Sequence, residues 1–139
     1  MGGSFRVGDD VRKWSQADLD YLKTMVDYYK SIRRTLQEGD LYRLASLREG
    51  NVAASEYVAA DGKEAVLFAF LHSQQFLYQA PTIYLRGLDE RALYRFNIID
   101  DKLVEKQKVL SGSYLMNHGL DFNLVGDFDG TSVLLERAE

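Results

Sequence analysis

The stretch from Tyr28 to Gly50, YYKSIRRTLQEGDLYRLASLREG, is where one periodicity ends and another begins. Upstream, apolar residues recur at helical spacing. Leu19, Leu22, Val26, Tyr29 and Leu36 share one stripe, and Tyr21, Met25, Tyr28 and Ile32 an adjacent one. Downstream, Leu41-Tyr42-Arg43-Leu44 has the apolar-aromatic-charged-apolar order of a strand entering a sheet. Gly39 stands at the junction, where a positive φ is expected and glycine adopts it at least cost. The division predicts a mainly β fold preceded by one long N-terminal helix.

The helix is expected from Gln16 to Glu38. Ser15 is the N-cap and Asp18 completes a capping box. Trp14, the only tryptophan, is placed to pack on Leu19 as a hydrophobic staple, which is favoured over a sugar-stacking platform. The two apolar stripes wet roughly half the cylinder, more than a single contact needs. Such a helix calls for two partners. One is the β region of this chain; the other is a body outside it, or a second copy. Arg33 lies inside the apolar arc and is expected to snorkel or to pair with Asp40.

Beyond Gly39 the sequence reads as short strands and turns: Leu41–Leu44, Ala53–Ala60, Glu64–Leu71, Pro81–Arg86, Ala92–Ile98, Leu103–Val109, Tyr114–Asn117, Leu120–Leu124 and Thr131–Arg137. Asp61-Gly62 signals a hairpin, and VLFAFL within Glu64–Leu71 signals a central strand covered on both faces. Seven to nine strands with turns at this spacing predict an antiparallel β-sandwich. The chain then divides into a loose or appended N-terminus at 1–13, the helix at 14–39 and the sandwich at 40–139. Met1-Gly2-Gly3-Ser4 has the look of an added start, from which the chain is expected to be an excised piece of a longer polypeptide.

Several function classes are disfavoured by composition. The net charge is −4 and no Lys/Arg run exceeds two residues, so the basic stripe of a nucleic-acid partner is missing. There is no cysteine, which excludes disulfides and thiolate chemistry and permits a reducing compartment. The longest apolar run, Ala65 to Leu71, is seven residues, too short to span a bilayer.

No catalytic constellation stands out. His72 and His118 are isolated and belong to no zinc-ligand pattern. Asp127-Phe128-Asp129-Gly130 begins like a calcium loop, but Ala138 occupies the bidentate position, so Asp129-Gly130 reads as a hairpin turn. Glycoside hydrolysis requires two facing carboxylates, and no Asp or Glu pair is marked as buried and opposed. Tyr42, Tyr57, Tyr78, Tyr84, Tyr94 and Tyr114 lie near strands and could form a sugar platform, with core packing the favoured reading.

Taken in order, W-S-Q-A-D-L, Y-Y-K-S-I-R, Q-E-G-D-L-Y-R-L and S-L-R-E-G-N resemble the end of the catalytic barrel and the start of the C-terminal domain in family 36 glycoside hydrolase α-galactosidases. E-A-V-L-F-A-F, I-Y-L-R-G-L-D, L-Y-R-F, S-G-S-Y-L-M-N-H-G-L and G-D-F-D followed by L-L-E-R continue the likeness into that family's C-terminal β-sandwich. The resemblance implies a retaining enzyme for terminal α-galactosides of the melibiose and raffinose type. Its aspartate nucleophile and aspartate acid/base would lie on barrel segments preceding residue 1. It also implies that Gln16–Glu38 is the last barrel helix. No catalytic, cofactor or metal residue carries over, because the nucleophile's Lys-x-Asp setting has no counterpart here. The expected role is a non-catalytic accessory domain that steadies the barrel or its assembly in a cytoplasmic enzyme. The expected partner is the barrel, with a homo-oligomer as a further possibility, and no sugar, nucleic acid or membrane is expected to bind this part. The alternative is a carbohydrate-binding module acting through exposed aromatics.

Overall fold

The computed structural model describes residues 4–76 and 79–138. After a 3-10 turn at Val11–Lys13 comes helix α1 (Gln16–Glu38). Strands β1 (Asp40–Ala45), β2 (Val52–Val58), β3 (Glu64–Leu71), β4 (Leu93–Ile98) and β5 (Val109–Ser111) follow, then helix α2 (Gly112–Asn117) and strand β6 (Asp129–Arg137).

The capping box is formed: the Asp18 N–H donates to Ser15 Oγ, and the Ser15 N–H donates to Asp18 Oδ2, both at 3.2 Å. The Trp14 indole N–H donates to Asp9 at 3.1 Å. Gly39 ends the helix, but its backbone is extended, with φ −80° and ψ 162°, not positive. Its absent side chain has a steric cause. A Cβ here would lie 2.5 Å from the Thr35 carbonyl oxygen and 2.7 Å from that of Val58. Helix end and sheet meet backbone to backbone, and only glycine fits. Arg33 points to solvent and forms no ion pair with Asp40 among the described residues. The neighbouring Arg34 pairs with Glu38 one turn on.

The β region is one six-stranded antiparallel sheet in the order β1-β2-β3-β6-β4-β5, not a sandwich of seven to nine strands. The last strand inserts between β3 and β4, so β3 and β6 are central. Both carry runs buried on either face, Ala65–Leu67 and Thr131–Leu135; the expected double cover of VLFAFL thus holds at Val66 and Leu67 but not along the whole run, since Phe68 is half-buried and Phe70 exposed. In place of a second sheet, irregular segments cover the inner face. Ile83, Leu85, Leu88, Leu115, Leu120 and Phe122 pack there against β2, β3, β4 and β6. Among the described residues, pairing within this cover is limited to the single bridges Ile83↔Leu120 and Leu103↔Phe122.

The reasons are local. Gly87 and Gly119 adopt φ of +70° and +73°, which break extended runs. Ser111 caps a helix by accepting the Tyr114 N–H at 3.1 Å, so Tyr114–Asn117 is helical, not a strand. The turn before β6 centres on Phe128, at φ +61°. Asp129 opens the strand and accepts the Val125 N–H at 2.9 Å. On the outer face, α1 lies against β2, β3 and β6 through a second buried cluster of Ile32, Leu36, Tyr57, Val66 and Leu134.

Candidate functional site

The two faces of the sheet differ in how completely they are covered. On the outer face only the C-terminal half of α1 is seated: Ile32 is 2% exposed, whereas Tyr21 is 66% exposed. Leu22, Met25, Val26, Tyr28 and Tyr29 remain half-buried. The broad apolar face read from the sequence is therefore satisfied by the sheet along one half only.

Between this half-seated helix and the sheet runs an open groove of about 610 Å3. Met25, Tyr28, Tyr29 and Phe5 form one wall, with Tyr57 and Phe68 opposite. Phe5 packs on Tyr29 with ring centroids 5.7 Å apart. Hydroxyl groups mark the sheet side. Tyr28 and Ser132 share a hydrogen bond of 2.7 Å, and burial pushes the Tyr28 hydroxyl up to about 12 against the opposing effect of that bond. Beyond the groove, toward the C-terminal end of α1, Thr35 bonds to Glu64. The Tyr57 hydroxyl is buried without a hydrogen-bond partner among the described residues. Together these features make a surface for apolar packing with a few fixed polar pins, the composition of an interface core.

The residues weighed for chemistry are dispersed. His72 sits edge-on to Phe128, centroids 5.3 Å apart, and His118 stacks on Tyr114 at 4.7 Å. Asp127 accepts the Gln74 N–H at 2.8 Å, and the Gln74 side chain accepts the Gly126 N–H at 2.6 Å, so the calcium-like sequence is a closed turn. Asp129 pairs with Lys102. Of the tyrosine set, Tyr57 and Tyr94 are buried. The Tyr94 hydroxyl donates to the Gly62 carbonyl at 2.9 Å. Tyr42 packs against the inner core; Tyr84 and Tyr114 are exposed; Tyr78 lies outside the described residues. They do not make one platform. No cluster of three His, Asp or Glu side chains able to hold a metal occurs among the described residues.

One polar residue escaped the sequence reading. Glu56 is fully buried on the inner face, the one acid so placed among the described residues. The signal was available: Val52, Ala54, Glu56 and Val58 alternate, and an acid at an inward position breaks the pattern.

Comparison with known proteins adds a consistent set of likenesses. A sequence profile described as the glycosyl hydrolase family 36 C-terminal domain matches residues 52–135. Alpha-galactosidase 2 of Hypocrea jecorina is 29% identical over 137 residues, covering 99% of this chain and 17% of its own length. Alpha-galactosidase AgaA of Geobacillus stearothermophilus is 35% identical over 122 residues, 86% of this chain and 15% of its own. The crystal structure of the family 36 α-galactosidase AgaB of the same organism superposes with a TM-score of 0.79 at 30% identity, covering 93% of this chain and 17% of that one. A crystallised AgaA variant in complex with raffinose gives a TM-score of 0.79 at 29% identity, again over 93% of this chain and 17% of that one. The chain spans about one sixth of the length of these relatives.

Proposed function

Because the chain belongs to glycosyl hydrolase family 36 as a C-terminal domain, we propose that it is the non-catalytic C-terminal part of a retaining α-galactosidase. The parent acts on terminal α-galactosides of the raffinose and melibiose type in the cytoplasm, and this part holds the catalytic barrel in place. The observation that carries the reading is the half-seated helix. Residues 22 to 29 of α1 present apolar and aromatic side chains that the sheet leaves half-covered, beside a groove of about 610 Å3. Burying that strip against a second body would contribute at about 25 cal/mol per Å2. The raffinose complex of the AgaA variant supports the substrate class.

Two measurements test the proposal. The isolated chain should release no nitrophenol from a nitrophenyl α-galactoside, and turnover by it would refute the non-catalytic role. Grafted in place of the corresponding segment of AgaA, the chain should support hydrolysis, and Val26→Asp in that chimera should shorten the half-life of activity on heating. A chimera indifferent to Val26→Asp would refute the packing role.

A further inference from the structure

Side chains on β2 alternate between the two faces of the sheet, and Glu56 shares the inner face with Val52, Ala54 and Val58. Its exposure is 0%. Across the strand pairings it lies level with Tyr42 on β1 and Leu67 on β3. One oxygen, Oε2, accepts the Arg86 backbone N–H at 2.8 Å. The other, Oε1, has no hydrogen-bond partner among the described residues. An ionised carboxylate needs more than a single amide to offset the loss of its hydration, so this geometry suits the neutral acid.

Arg86 and Gly87 are exposed between the buried Leu85 and Leu88, so the backbone bend that bonds Glu56 has its outer side in water. Gly87 has φ +70°, and a Cβ there would fall 2.6 Å from the Tyr42 ring. The bend thus rests on Tyr42 and is tied from beneath by Glu56. Earlier in the segment the attachment is firmer. Ile83 and Leu120 exchange backbone hydrogen bonds of 2.9 and 2.8 Å, and the Leu85 N–H donates to the Leu115 carbonyl at 3.2 Å.

We propose that Glu56 is a proton-operated latch: protonated, it stays in the core and clasps the Arg86–Gly87 bend, and on losing its proton it releases that bend so that water reaches the carboxylate. Burial pushes the Glu56 carboxyl up to about 7, against the smaller opposing effect of the Arg86 amide. The titratable groups on the elements packed against it are Tyr42 from β1 and Arg86 from the covering segment, while β3 offers Leu67. None of them supplies a compensating charge. The sign follows from a folded-state value above the ordinary 4.5. The stabilisation is whole below about pH 4.5, declines as pH rises toward about 7 and is lost beyond it.

Amide hydrogen exchange read by NMR tests the latch between about pH 5.5 and 8.5, after division by the intrinsic base-catalysed rate. Protection of the Arg86 N–H should fall about tenfold relative to that of Ile83 and Leu85. In Glu56→Gln the ratio should stay flat. An equal fall at all three amides, or the same Arg86 profile in Glu56→Gln, overturns the proposal. Should the variant fail to fold, a carbon-13 titration of the Glu56 carboxyl in the unaltered chain decides. A midpoint within about one unit of 7 that the Arg86 exchange profile follows supports the latch, and a lower midpoint, or an Arg86 profile that does not follow the carboxyl, overturns it.

Discussion

Truncating α1 at two places separates the seated half of the helix from the half left open. Ile32 is 2% exposed and packs with Tyr57, Val66 and Leu134. Ile32→Ala deletes roughly three methylene equivalents at about 0.8 kcal/mol each, and the cavity left behind raises the total to about 3 kcal/mol. Val26, six residues earlier, is half-buried on the apolar stripe beside the groove-lining one. Val26→Ala removes less and leaves no closed cavity, so its cost in the isolated chain should stay below about 1 kcal/mol. Urea titration of the purified chain, followed by far-UV circular dichroism, reads both. In a thermal scan the larger loss corresponds to a drop of roughly 10 °C for a chain this size. In the AgaA chimera the Val26→Ala penalty should rise above its isolated value, because a second body then closes over it. An Ile32→Ala cost under about 1 kcal/mol, or a Val26→Ala cost equal to it, would refute the argument that the sheet seats only the C-terminal half.

Glu56→Gln should stabilise the chain by about 3 kcal/mol at pH 8, where the native carboxylate is ionised against a buried-state value of about 7. The gain should vanish below about pH 4.5, where wild-type Glu56 is protonated folded and unfolded alike; urea midpoints at pH 4 and 8 check both ends. Gly39→Ala should cost about 2–3 kcal/mol although its φ of −80° suits any residue, since the methyl would meet two carbonyl oxygens. Gly62→Ala, in open space but at φ +66°, should cost only about 1 kcal/mol. Equal thermal shifts for the two glycines would contradict the steric account of Gly39.

Where one periodicity persisted over many residues, the sequence made the element plain. Helix α1 has its expected ends, Gln16 and Glu38, and β3 its expected span, Glu64 to Leu71. Segments of four to seven residues were less legible. Tyr114–Asn117 offered too few positions to separate a single helical turn from a strand, and the Ser111 cap decided it. Pro81–Arg86 and Leu103–Lys108 have strand-like composition, yet each reaches only an isolated bridge in the layer over the inner face, and of the second expected strand Val109 alone joins the sheet, as the start of β5. Composition reports that a side chain is buried, not that its backbone has a strand neighbour, so an irregular cover and a second sheet read alike. The same blindness turned Gly39 into a presumed left-handed residue. A local rule about helix ends cannot see Val58, nineteen residues later, whose carbonyl leaves no room for a Cβ.

Glu56 and the face of α1 were obscure for opposite reasons, and the contrast bears on where function resides. Glu56 needed only a strict count of alternation along Val52 to Val58. The helix face could be seen from the sequence but not apportioned. Its stripes say that about half the cylinder is apolar, and nothing in them says which turn meets the sheet. The apportioning comes from β2, β3 and β6, which present Tyr57, Val66 and Leu134 to Ile32 and Leu36 but leave Leu22 to Tyr29 half-covered. A helix selected only to close this sheet would have no use for apolar residues over that second span. Such a strip is what the proposed sharing of the helix between two bodies requires. The polar pins at Tyr28–Ser132 and Thr35–Glu64 fix the angle of the helix to the sheet and with it the direction in which the half-covered strip faces.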